Sequence, residues 1–217
     1  MSKRARSTAS SAVSPKKRVA KSSSTPPTAE ATRFVALLRG INVGGVTVKM
    51  NRLKLMFEEL GFHDVKTVLA TGNVLFSSRD GLQQPAELKE LLESALSDTF
   101  HYTAFVQVYK YSEVKTLVDS YSDDIVEGKH SYFVFVGDLA IFRQMKEETA
   151  KLEDHSNPLE TVRFGEECPD FGIVYWNVTI GHSTSTEFAK LIAQRTFKND
   201  VTTRNLNTLN KLIRLDK

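Results

Sequence analysis

The residues of this chain best suited to chemistry gather at Arg39-Gly40-Ile41-Asn42-Val43-Gly44-Gly45. Gly44 and Gly45 let the backbone approach a ligand and present N–H groups to it. The guanidinium of Arg39 offers a planar fork matched to phosphate or carboxylate. Lys49 stands just before a helix pattern that opens at Met50, near the positive end of its dipole. Read as a site, the stretch is an anion or nucleotide-like cradle. Read as structure, the glycines permit a sharp turn, Asn42 bonds the loop backbone and Arg39 pairs with a carboxylate. The stretch is not a known nucleotide signature, since no Gly-Lys-Ser/Thr follows it and it is not G-x-G-x-x-G.

Two further groups could join it. Thr71-Gly72-Asn73 reads as a hairpin turn, with Gly and Asn favoured on conformational grounds. Alternatively, Asn73 turns its amide into a cleft shared with the first loop. Thr203-Arg204-Asn205 precedes the last helix, where Asn205 can serve as N-cap. A cation at that end opposes the dipole, so Arg204 calls for an anionic partner, either a carboxylate or a ligand. The candidate ligand-binding set is Arg39, Asn42, Gly44, Gly45, Lys49, Asn73, Arg204 and Asn205. Its roles are electrostatic and positional. No general base is identifiable, no catalytic residue is assigned, and whether the chain is an enzyme stays open. The five histidines show no metal-ligand spacing and no cofactor is called for. Cys168 lies in the acidic run 165–170, which should raise its pKa and blunt its nucleophilicity.

The elements that must position these residues follow from periodicity. Residues 33–39 form a short apolar run, a buried strand. Leu53, Met56, Phe57 and Leu60 recur at helical spacing, and Gly61 ends that helix. Residues 65–70 and 73–78 read as strands flanking the Thr71-Gly72 turn. Leu88, Leu91, Leu92, Ala95 and Leu96 mark a second helix, and 103–109 a fourth strand. The order is β-α-β-β-α-β, the ferredoxin-like plan. In that plan strands 1 and 3 are antiparallel neighbours, so the loop after strand 1 and the turn before strand 3 share one end of the sheet.

The rest repeats the pattern loosely. A connecting helix carries Val114, Leu117, Val118 and Tyr121. Strands fall at 132–136, 161–165 and 172–179, with helices at 138–152, from Thr184 (a capping box with Glu187) and from Asn205. The expected fold is α+β: two ferredoxin-like halves, 33–110 and 111–217, with helices on one face of each sheet, preceded by a disordered basic tail over 1–32.

The tail carries seven basic side chains against one acid, which leaves 22 basic and 25 acidic for residues 33–217. It is rich in Ser, Thr, Ala, Pro and Lys, too poor in apolar surface to offset the entropy of ordering. Its run Pro15-Lys-Lys-Arg-Val-Ala-Lys21 fits a nuclear address read by an import receptor, or a solvated leader with none. A mitochondrial presequence fits less well, because Val13 and Val19 make a poor amphipathic face. The single cysteine forbids an internal disulfide and suits a reducing compartment, and no apolar run is long enough to span a bilayer. An intracellular place, nuclear or cytoplasmic, is expected. The slightly acidic body offers no field to recruit a nucleic-acid backbone.

Phe34-Val-Ala-Leu-Leu-Arg-Gly-Ile-Asn-Val-Gly-Gly45, the helix to Glu58-Glu-Leu-Gly-Phe62 and Thr71-Gly-Asn-Val-Leu-Phe76 together resemble the mostly bacterial domain-of-unknown-function 1697 family, marked by its RGINVGG stretch. Thr203-Arg204-Asn205 with Asn207, Thr208, Lys211 and Leu212 resembles a second hallmark. The resemblance spans about 33–215. It implies two ferredoxin-like halves and no assigned activity. The chain departs from the family at Leu206, where relatives carry Trp, and at Thr186-Glu187, where they often carry Ser-Lys.

Three readings of function stand. The first is a domain binding or acting on a small phosphorylated or otherwise anionic ligand at the RGINVGG loop. The second is a nucleic-acid-associated protein, although Phe34, Phe76 and Phe105 look like core rather than stacking platforms. The third is a structural or interaction domain in which Arg39 and Arg204 pair with buried acids.

Overall fold

The computed structural model describes residues 31–78, 84–121, 126–152 and 158–215. The expectations placed on the basic tail, its disorder and its address, lie outside the described residues apart from Ala31 and Thr32.

Fourteen elements alternate along the described chain. The first half comprises β1 (Thr32–Arg39), α1 (Met50–Glu59), β2 (His63–Val68), β3 (Asn73–Ser78), α2 (Pro85–Phe100) and β4 (Phe105–Lys110). The second comprises α3 (Tyr111–Asp119), β5 (Lys129–Val136), α4 (Leu139–Ala150), β6 (Glu160–Phe164), β7 (Gly172–Thr179), α5 (Glu187–Ala193), β8 (Val201–Asn205) and α6 (Leu206–Arg214). Each half holds a four-stranded antiparallel sheet, ordered β2-β3-β1-β4 and β6-β7-β5-β8. Both orders are ferredoxin-like, so the fold is α+β with two such halves.

The halves share more than topology. Along β1, Phe34, Ala36 and Leu38 pack under α1 and α2, while Val35 and Leu37 join a core with Phe133, Phe135 and Tyr175 of the second sheet. Side chains alternate across a strand, so the first sheet is covered on both faces. This is why the chain reads there as unbroken apolar runs rather than alternation. The second sheet is equally covered, by α4 and α5 on one face and by the shared core on the other. Helices therefore do not keep to one face of each sheet: α1, α2, α4 and α5 take the outer faces, while α3 and α6 pack into the core shared by the two remaining faces. α3 and α6 pack together beside this seam. The ring of Tyr109 lies 5.0 Å from Phe135 and 4.4 Å from Phe171, centroid to centroid.

Three local expectations change. Residues 201–205 form a strand, β8, rather than a lead-in to the last helix; VTTRN is short and polar, and only its pairing with β5 makes it a strand. Helix α5 is capped by Thr186, not Thr184, and Glu160 accepts the Phe188 N–H at 3.1 Å while holding Trp176 Nε1 at 2.9 Å. Phe105 is not core: it starts β4 at a sheet edge and stays 39% exposed, whereas Phe34 and Phe76 are fully buried.

At one end of the first sheet, the turn before β3 presses on the end of β1. Leu38 N donates to Gly72 O at 2.8 Å. Gly72 has φ +74°, and a Cβ there would lie 2.7 Å from both Leu38 Cβ and Ile41 Cδ1. Replacement by alanine meets both the left-handed backbone and the clash. Gly72→Ala is expected to lower stability by about 2–4 kcal/mol in urea unfolding; a loss below about 1 kcal/mol would show that the turn moves aside.

Candidate functional site

Strand alternation decides where the two key arginines point. Val35 and Leu37 face the second sheet, so Arg39, two residues on, continues that face. In β8, Val201 faces α4 and α5, which puts Thr202 and Arg204 on the side of the first sheet. Two sheets that pack against each other thus aim Arg39 and Arg204 into the same junction.

The junction opens as a cleft of about 480 Å³ between the halves. Arg39, Gly40, Ile41, Val43 and Thr71 line it from the first half, and Ser183, Thr184, Lys198 and Arg204 from the second. Its lining holds three basic side chains and no carboxylate or imidazole. Arg204 Nη1 donates to Thr203 O at 3.0 Å, and its Nη2 donates to Leu38 O across the junction. Both acceptors are neutral carbonyls. Nε of Arg204 and Nη1 of Arg39 are buried with no hydrogen-bond partner.

The electrostatics follow from this lack of neutralisation. Burial, then the facing Arg39, pushes Arg204 down to about 10, with Tyr109 acting in the opposite sense. Burial also lowers Arg39, partly offset by the charge of Asp200. A basic group whose folded pKa is lowered costs stability wherever it remains protonated. Arg204 is charged below about 10, so the folded protein carries that cost throughout the neutral range. Among the described residues no acid pairs with Arg204, and the charge that acts on it most is a second cation, Arg39.

The other residues singled out in the sequence are placed as follows. Asn42, at φ +55°, bonds the loop to itself and to the neighbouring turn: its Oδ1 accepts from Val48 N at 2.9 Å and its Nδ2 donates to Ala70 O at 2.7 Å. Gly44 and Gly45 have φ +57° and +90° and stand in open space outside the cleft lining. Lys49 is exposed at the N-cap of α1, also outside the lining. Asn73 is fully buried; its Nδ2 donates to Val68 O and to Thr71 Oγ1, both at 2.9 Å, and its Oδ1 has no partner. Asn73 therefore supports Thr71, which does line the cleft. Asn205 caps α6 by accepting from Asn207 N at 2.8 Å. The departure at Glu187 faces Lys190, 2.7 Å away, and stays outside the lining.

Sequence reasoning missed Ser183, Thr184 and Lys198. The first two sit in a Ser/Thr run that signals a helix start, and Lys198 lies in the turns before β8, so only their meeting with Arg39 marks them. Cys168 has the raised pKa expected of it, but through burial and then Glu113 of α3 rather than its acidic neighbours in sequence. Among the described residues no group of His, Cys, Asp and Glu is gathered as a metal would need, and no helix is long and apolar enough to cross a membrane.

Fold and site together define a class: paired ferredoxin-like sheets with a basic, acid-free cleft at their junction. The chain belongs to the family described as "Protein of unknown function (DUF1697)", which matches residues 31–168. Arg204 and the second stretch of resemblance lie beyond that match. A solved structure described as a conserved bacterial protein from Streptococcus pneumoniae is similar at 25% identity and a TM-score of 0.67, over 86% of this chain and 99% of that one. No curated protein matches.

Two facing cations with no shared acid should repel in the ligand-free protein. Arg39→Met keeps most of the aliphatic bulk and removes one charge. It is expected to raise the ligand-free melting temperature, by about 2–4 °C for each kcal/mol relieved. A fall in calorimetry would mean that Arg39 is a net stabiliser.

Proposed function

We infer that this protein binds a small anionic, phosphorylated ligand in the cleft between its two halves, with Arg39 and Arg204 as the principal contacts. One observation carries the reading. Two guanidinium groups line one cleft and act on each other, each with a buried donor lacking a partner, and the acid whose charge offsets Arg39, Asp200, does not offset Arg204. Such an arrangement costs free energy unless an anion enters it. Charge-assisted bonds to guanidinium are strong and directional, and a phosphate oxygen can accept from both side chains. The cleft volume lies in the range typical of small-molecule sites. Hydroxyls of Thr71, Ser183 and Thr184 add neutral hydrogen-bonding groups. With no carboxylate or imidazole in the lining, the cleft supplies mainly charge and position, and Lys198 is the lining side chain of a kind that can transfer a proton.

A structural reading has one observation in its favour. The bond from Arg204 Nη2 to Leu38 O crosses the junction and ties the halves. It uses only part of the guanidinium and leaves its charge without an acid.

A thermal-shift screen of dialysed full-length protein against nucleotides and sugar phosphates tests the binding reading. A ligand at a hundredfold excess over its Kd is expected to add about 2.7 kcal/mol, a shift of several degrees. Arg204→Met should abolish that shift while the variant still unfolds cooperatively. Shifts that survive Arg204→Met place the ligand elsewhere.

A further inference from the structure

Resting on that reading, we propose that the ligand is specifically a phosphomonoester with an apolar or aromatic body, its dianionic phosphate held between Arg39 and Arg204 and its body laid along Ile41, Val43 and Ile192. The charge balance carries the first part. Arg39, Lys198 and Arg204 line the cleft and Asp200 is the acid that offsets Arg39, so the site presents a net formal charge of about +2 to whatever enters. A monocarboxylate or a phosphodiester brings one negative charge and leaves a cation uncompensated beside another. A phosphomonoester carries about −1.5 to −2 at neutral pH, with three acceptor oxygens, and so satisfies both guanidinium groups at once.

The apolar part of the lining carries the second part. Ile41 is buried, Ile192 is half-buried, and Val43 is 62% exposed, the most exposed of the large apolar side chains described. Val43 reaches the cleft from the tip of the loop that Asn42 pins to the turn before β3. An exposed aliphatic side chain on a pinned loop, beside a basic pocket, gains by covering an apolar group. At about 480 Å³ the cleft exceeds what a bare phosphate would fill. The class is therefore a compact phosphomonoester whose non-phosphate part is uncharged and offers an apolar face.

Isothermal titration of the full chain at pH 7.5 with phenyl phosphate, inorganic phosphate and benzoate separates the components. Phenyl phosphate is expected to bind about tenfold more tightly than benzoate, because it alone of the two supplies a dianion. It should also bind several-fold more tightly than inorganic phosphate, which lacks the ring. Val43→Ser, at an exposed position, should erase the advantage over inorganic phosphate and leave inorganic phosphate binding unchanged. Benzoate equal to or tighter than phenyl phosphate would overturn the phosphomonoester class while leaving an anion site in place. A Val43→Ser protein that still favours phenyl phosphate to the same degree would overturn the apolar subsite. Failure of all three probes to bind would overturn this inference and the anion-binding reading together.

Discussion

The apolar seam between the two sheets is the interaction on which the rest depends. Val35, Leu37 and Leu75 of the first sheet meet Phe133, Phe135 and Ile173 of the second, all close to fully buried. Burial of such side chains is the dominant favourable term in folding and has no direction of its own. What gives the seam direction is strand alternation, which fixes the residues that continue each inward face past the edge of the core. On β1 that residue is Arg39, and on β8 it is Arg204. The core thus does two jobs: it holds two ferredoxin-like halves together and brings two cations to its margin.

That margin runs against ordinary folding economy. Buried charges in proteins are normally paired or neutralised, and a like-charged pair in a poorly hydrated place loses free energy twice, by desolvation and by repulsion. Lowered pKa values at both arginines, with burial as the largest cause, express the first loss, and the action of Arg39 on Arg204 expresses the second. Around the pair the scaffold is tightly specified. Asn42 fixes the loop by both ends of its amide, Asn73 holds Thr71, and Gly72 leaves no room for a side chain. A rigid frame around an uncompensated charge is the arrangement expected of a preorganised binding site, since rigidity lowers the ordering cost of binding.

Membership of the family of unknown function and likeness to the bacterial structure agree with the fold and add no chemistry to it. The family match ends at residue 168 and so includes Arg39 but not Arg204, Lys198 or Ser183. The composite character of the cleft therefore comes from the pairing of the halves rather than from either stretch alone.

The sequence by itself determined the first half almost element by element. Its helices carry apolar stripes, its strands are short apolar runs, and its breaks fall at Gly61 and Gly72, so local periodicity and turn chemistry sufficed. It also singled out Arg39 and Arg204 by type and position. Tertiary structure alone decided that these two residues face each other 165 positions apart, because no local pattern encodes which sheet faces pack together. It alone made VTTRN a strand, since a short polar segment acquires that conformation from the ladder with β5. It alone sorted the motif residues into those that build the frame and those that line the cleft. Asn42, Asn73 and Asn205 spend their amides on backbone and neighbouring groups, a use set by distances of about 3 Å that spacing along the chain cannot reveal.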